Sequence, residues 1–135
     1  MNAATDRNQF SWGDPHDGTN EVIGAAIEVH RNLGPGLLES VYEACLCKEL
    51  THRGIAHARQ VTLPVTYKGE AVDAQLRLDI VVENRLIVEV KSVEQILPIH
   101  VAQLLTYLRL SGMKVGLLLN FNVLRMTDGI RRLIL

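Results

Sequence analysis

Hydrophobic positions recur along this chain with two periods, and the changes between them outline the fold. Val22, Ile23, Ala26, Ile27, His30 and Leu33 follow a helical spacing, with Thr19 or Asn20 placed to cap the first turn. Gly34-Pro35-Gly36 stops that helix and reverses the chain. A second helix is predicted from Leu37 to Arg53, its inner side near Leu38, Val41, Cys45 and Leu46, with Gly54 as the stop. The period then falls to two. Val61, Leu63 and Val65 alternate, Tyr67-Lys68-Gly69-Glu70 turns, and Val72, Ala74, Leu76, Leu78, Ile80 and Val82 continue the alternation through a long strand. Beyond Glu83-Asn84-Arg85, Leu86 to Val93 reads as another strand. Pro98 to Ser111 returns to helical spacing with Val101, Leu104, Leu105 and Leu108 inward, and Gly112 ends it. Val115 to Phe121 reads as a buried strand, and the Arg125–Leu135 tail supplies a last short one. The order ααβββαββ predicts a mixed α/β fold with helices packed on a central sheet.

Residues Met1 to Gly18 carry no period and are rich in Asn, Asp, Gly and Ser, the pattern of a disordered leader. Asp14, His16 and Asp17 are metal-ligand types, but a solvated tail accounts for them more simply. The remaining residues, 19–135, are expected to form one domain, since the 135-residue chain is too short for two. A formal charge of -1 gives no general attraction for nucleic acid and leaves only a local basic cleft to provide one. The apolar runs are too short to span a membrane. Cys45 and Cys47 lie two apart in a helix and point in different directions, so neither a disulfide nor a shared metal is expected. With no signal peptide in the pattern, the expected location is the cytoplasm.

The run Leu76 to Ser92 changes this picture from fold to chemistry. Its apolar residues are nearly continuous, as in strands buried on both faces, yet Asp79, Glu89 and Lys91 interrupt them. Charges in such a place are costly unless paired or bound to metal. Asp79 is out of phase with Leu76, Leu78, Ile80 and Val82, while Glu89 and Lys91 share one face of their strand. A turn centred on Asn84 sets Asp79 directly opposite Glu89, with Cβ atoms ~5 Å apart. Two carboxylates so close repel unless a cation or proton lies between them, and a divalent ion with oxygen ligands fits the gap. A structural ion pair from Lys91 to either acid is the alternative reading. In the third helix Gln103 and Tyr107 are spaced i,i+4 with His100 one turn earlier, either as a polar ridge facing the acids or as an ordinary exposed face. Glu39 and Tyr42 are spaced i,i+3 on the second helix, where Glu39 also suits the helix dipole.

These same residues carry a resemblance. Gly36-Leu37-Leu38-Glu39-Ser40-Val41-Tyr42 is similar to the signature of the GxxExxY proteins, a family placed in the PD-(D/E)XK nuclease superfamily. The likeness continues through Leu76-Arg77-Leu78-Asp79, Ile87-Val88-Glu89-Val90-Lys91-Ser92, His100 to Leu108 and Gly116 to Phe121, and covers about residues 20 to 135. It implies a restriction-endonuclease-like αβββαβ core with an extra first helix. It further implies that Asp79 is the strand aspartate and that Glu89 and Lys91 are the (D/E)xK pair. Glu39 would be the glutamate of the preceding helix, and Gln103 and Tyr107 the Q-x-x-x-Y of the following one. Leu78 stands where the superfamily has a proline, which contributes no catalytic group. The implied activity is hydrolysis of phosphodiesters in DNA or RNA with Mg²⁺ or Mn²⁺. Asp79, Glu89 and the Val90 carbonyl would hold the metal, and Glu39 would complete its shell directly or through water. The alternative is an inactive module of the same fold that binds nucleic acid or a protein partner. So small a domain has little surface for wrapping a duplex, which makes a homodimer reasonable.

Overall fold

The computed structural model describes residues 17–135. In chain order they form α1 (Thr19–Leu33), α2 (Glu39–His52), β1 (His57–Tyr67), β2 (Glu70–Val82), β3 (Leu86–Lys91), α3 (Pro98–Ser111), β4 (Val115–Asn120), a 3-10 turn (Met126–Gly129) and β5 (Ile130–Ile134). One sheet holds the strands in the order β1-β2-β3-β4-β5. Neighbours are antiparallel except β3 and β4, which run parallel because α3 carries the chain across between them. This is the mixed α/β architecture that the hydrophobic pattern predicts, with helices on both faces of the sheet.

The near-continuous apolar runs follow from that layering. On one face Val22, Ile23, Tyr42, Leu46 and Leu50 of α1 and α2 pack on Leu86, Val88, Val90, Leu117, Leu119 and Phe121. On the other, Leu104 and Leu108 of α3 pack on Ile87 and Leu118. Gly116 keeps α3 close, since a Cβ there would meet the Leu104 side chain at 3.0 Å. Asn120, buried at the end of β4, accepts the Val93 amide and donates to the Val93 carbonyl, both at 3.0 Å, and so fixes the chain leaving β3.

Three local expectations are corrected. Asp17, not Thr19 or Asn20, serves the start of α1: it accepts the Thr19 amide at 2.8 Å and pairs with Arg132 of β5 at 2.5 Å. Asp17, expected in a solvated tail, is instead held against α1 and β5 by these contacts. The expected leader otherwise lies outside the described residues, as do Asp14 and His16.

The inner face of α2 is rotated from the predicted one. Leu38 and Val41 are exposed (73% and 39%), and Tyr42, Glu43, Leu46 and Leu50 point inward. Tyr42 sets this rotation. Its ring stacks on Phe121 at 4.6 Å, while its hydroxyl donates to the Gly34 carbonyl at 2.5 Å and accepts the Leu37 amide at 3.1 Å. A buried tyrosine whose hydroxyl is satisfied this well outweighs two small aliphatic side chains in choosing the face.

The alternation in β2 does not run unbroken from Leu76 to Val82. Leu78 packs with α3, whereas Ile80 and Val82 pack with α1 and α2. The phase changes at Asp79.

Candidate active site

Asp79 sits where β2 parts from β3. The pairs Val82↔Leu86, Val81↔Ile87 and Ile80↔Val88 centre the turn on Asn84, the register that the sequence argument requires, and backbone pairing stops there. Beyond it, side chains take over. The Asp79 amide donates to Glu89 Oε2 at 2.8 Å, and the Val90 amide donates to Asp79 Oδ2 at 2.8 Å. Each carboxylate thus satisfies an amide that the parted strands would leave unpaired. Each also keeps a second oxygen with no hydrogen-bond partner among the described residues. The Phe121 amide donates to the Lys91 carbonyl at 2.9 Å, so Lys91 turns its backbone toward β4. Val90, the preceding residue, turns its own amide and carbonyl the other way, toward the gap beside Asp79.

Electrostatics marks the pair as short of positive charge. Burial first, and then the Asp79 charge, push the Glu89 carboxyl from its ordinary 4.5 up to about 8. Asp79 is also raised, by burial first and then by Glu43 and Glu39. Lys91 lowers both without forming an ion pair to either among the described residues, so the structural ion-pair reading of Lys91 does not hold. A buried Glu89 and a half-buried Asp79, each with a free oxygen, and a backbone carbonyl turned to the same gap make a donor set suited to a hard divalent cation. Among the described residues no three of His, Cys, Asp and Glu converge on one point, so protein carboxylates would fill only part of such an ion's shell.

Glu39 begins α2 and lies outside the pair. It is exposed, and its Oε2 accepts the Ser92 amide at 3.3 Å, while Ser92 Oγ donates to the Leu37 carbonyl at 2.6 Å. These bonds dock the start of α2 on the chain just past Lys91. The Gly-to-Tyr signature is thereby explained: Gly36, at φ +94°, lets the turn fold back over Tyr42, and Glu39 emerges at the end of β3.

A family model described as the PD-(D/E)XK nuclease superfamily matches residues 16–133. The chain belongs to this superfamily. No curated protein and no solved structure matched it. Of the residues expected from the resemblance, the fold brings Asp79 and Glu89 together at one strand divergence, with Lys91 two residues along β3.

The remaining expected residues are placed unevenly. Tyr107 is half-buried on α3, and its hydroxyl pKa is raised by burial and then by Glu89 and Asp79, which puts it within electrostatic reach of the pair. Gln103, one turn earlier, is exposed and has no hydrogen-bond partner among the described residues. His30 and His100 each contact a backbone group. His30 Nε2 lies 2.7 Å from the Val123 carbonyl, and His100 Nδ1 accepts the Leu97 amide at the start of α3. Both cysteines are free thiols. No helix among the described residues is long and apolar enough to cross a membrane.

Sequence reasoning missed Glu43, Arg59 and Gln60. Glu43 is buried on α2, bonded to Arg59 and Gln60 of β1, and it acts electrostatically on both Asp79 and Glu89. One signal was available: Glu43, Leu46 and Leu50 are spaced i, i+3, i+7, so a charge stands on an otherwise apolar stripe.

Proposed function

We propose that this chain is a GxxExxY-type member of the superfamily that hydrolyses phosphodiester bonds in nucleic acid with Mg²⁺ or Mn²⁺. The observation that carries the reading is the Asp79–Glu89 pair: Glu89 buried and Asp79 half-buried, mutually repelling, each with an oxygen unpartnered among the described residues, and flanked by a lysine that forms an ion pair with neither. Such a pair gains most from a cation between its members. Asp79, Glu89 and the Val90 carbonyl would hold the ion, with Glu39 completing its shell directly or through water. When bound, the ion polarises a phosphodiester oxygen and lowers the pKa of a nearby water. Lys91, one pleat along from Glu89, would orient that water as a cation while its proton passes to bulk solvent, and its charge would stabilise the developing phosphorane oxygens. Tyr107 donates a hydrogen bond to substrate or stacks on a base, and the free amide of Gln103 takes a phosphate or a base edge.

The test is nuclease activity of the purified protein on single-stranded, duplex and branched DNA and RNA. Cleavage with Mg²⁺ or Mn²⁺ is expected, falling at least ~100-fold in Asp79→Ala and Lys91→Ala. No divalent-metal binding by calorimetry in the wild type would sink the catalytic reading and favour the inactive binding module.

A further inference from the structure

Glu43 is a buried carboxylate that the chemistry above does not use, and both of its oxygens are engaged. Arg59 Nε donates to Oε2 at 2.5 Å, and Gln60 Nε2 lies 2.9 and 2.8 Å from the two oxygens. Consecutive residues of a strand point to opposite faces. Arg59 and Gln60 are consecutive in β1, yet both reach one carboxylate on α2. The Gln60 backbone allows it: φ is +55°, a left-handed conformation that residues other than glycine rarely adopt.

The level of this irregularity matters more than its presence. Arg59 pairs with Ile80 and Val61 with Leu78, while the intervening level, Gln60 and Asp79, makes no recorded pair. At that level the facing of β2 also changes, between Leu78 and Ile80. The two departures are one kink crossing both strands. Through it, the Asp79 amide reaches the Glu89 side chain and the Asp79 carboxylate reaches the Val90 amide. A regular β2 would send the Asp79 amide into a strand ladder instead.

We propose that Glu43, with Arg59 and Gln60, is a positioning clamp that holds this kink and so sets the Asp79–Glu89 carboxylates for metal binding. The metal part rests on the reading given under Proposed function. Glu43 acts through the backbone rather than as a ligand, since its own oxygens are taken. A merely stabilising helix-to-strand ion pair would raise the melting temperature and leave the geometry at Asp79 alone.

The experiment uses the full chain and two readouts: amide hydrogen exchange by NMR without metal, and Mn²⁺ binding by calorimetry. Glu43→Ala and Gln60→Ala are expected to speed exchange at Asp79 and Val90 relative to Leu118 in β4, and to weaken Mn²⁺ binding by about tenfold or more. Gln60→Gly, free to adopt positive φ, should keep more Mn²⁺ affinity than Gln60→Ala. Leu50→Ala serves as a core control, lowering the melting temperature with no selective change at Asp79 or Val90. If the two alanine variants leave exchange at Asp79 and Val90 in step with the rest of the sheet, as the core control does, the clamp is overturned. Absence of Mn²⁺ binding in the wild type overturns the metal reading alone, and the exchange comparison then decides the clamp by itself. Gln60 is exposed, so its variants keep the test open should Glu43→Ala fail to fold.

Discussion

Glu89 ties the site's electrostatics to a measurable stability. In the unfolded chain it titrates near its ordinary 4.5, whereas burial and the Asp79 charge raise it to about 8 in the folded protein. Folding therefore favours the protonated form. That contribution is complete below about pH 4.5 and is lost as the pH rises through about 8. Glu89→Gln keeps the shape and an oxygen for the Asp79 amide but never ionises. Without divalent metal, its melting temperature should exceed the wild type's by ~4 °C or more at pH 9, and the two should nearly coincide at pH 4. Equal melting at pH 9 would mean that the Glu89 charge is already compensated in the metal-free protein. Asp79, Glu89 and Lys91 were legible in the sequence because a charge inside an apolar run stands out and the turn fixes the register. Glu43 was harder to see. It follows Tyr42 in a helix whose polar and apolar residues segregate poorly, and its partners lie 16 and 17 residues away on another element.

Among the elements, α2 shows where pattern reading succeeds and where it fails. Its existence and approximate limits followed from the Gly34-Pro35-Gly36 turn and Gly54, but its rotation did not follow from counting aliphatic residues. The decisive contact is the Tyr42 hydroxyl, which joins the Gly34 carbonyl and the Leu37 amide across the turn. Tyr42→Phe keeps the ring stack on Phe121 and leaves both backbone groups without that partner. A loss of about 1–2 kcal/mol is expected, seen in thermal unfolding as a fall of ~3–8 °C. A Phe variant as stable as the wild type would assign the helix rotation to the ring stack alone. The strands were legible for the converse reason: β3 and β4 are covered on both faces, so each reads as a short apolar run whatever its phase. The kink in β2 was not, because Leu76, Leu78, Ile80 and Val82 keep an even spacing in sequence while changing face in space.

For the whole molecule, charge constrains how substrate is held. The chain is formally -1; Lys91 and Arg59 act electrostatically on Asp79, and Arg59 is already paired with Glu43. Under the proposed function, substrate approaches the gap between β2 and β3, where the Asp79–Glu89 pair lies. A nucleic acid bound there would meet positive groups for about two or three phosphates, and each duplex phosphate contact contributes a slope of about −0.9 to log K against log salt. Binding measured by fluorescence anisotropy, with Ca²⁺ in place of the catalytic ion, should therefore weaken only about 12- to 40-fold between 50 and 200 mM salt. A fall of ~10³-fold or more would require six or more phosphate contacts. That is more than Lys91 and Arg59 supply, so a steep slope would point to a second copy sharing the substrate. A shallow slope places recognition in the metal and the groups around it, with affinity rising on metal addition and little binding in its absence.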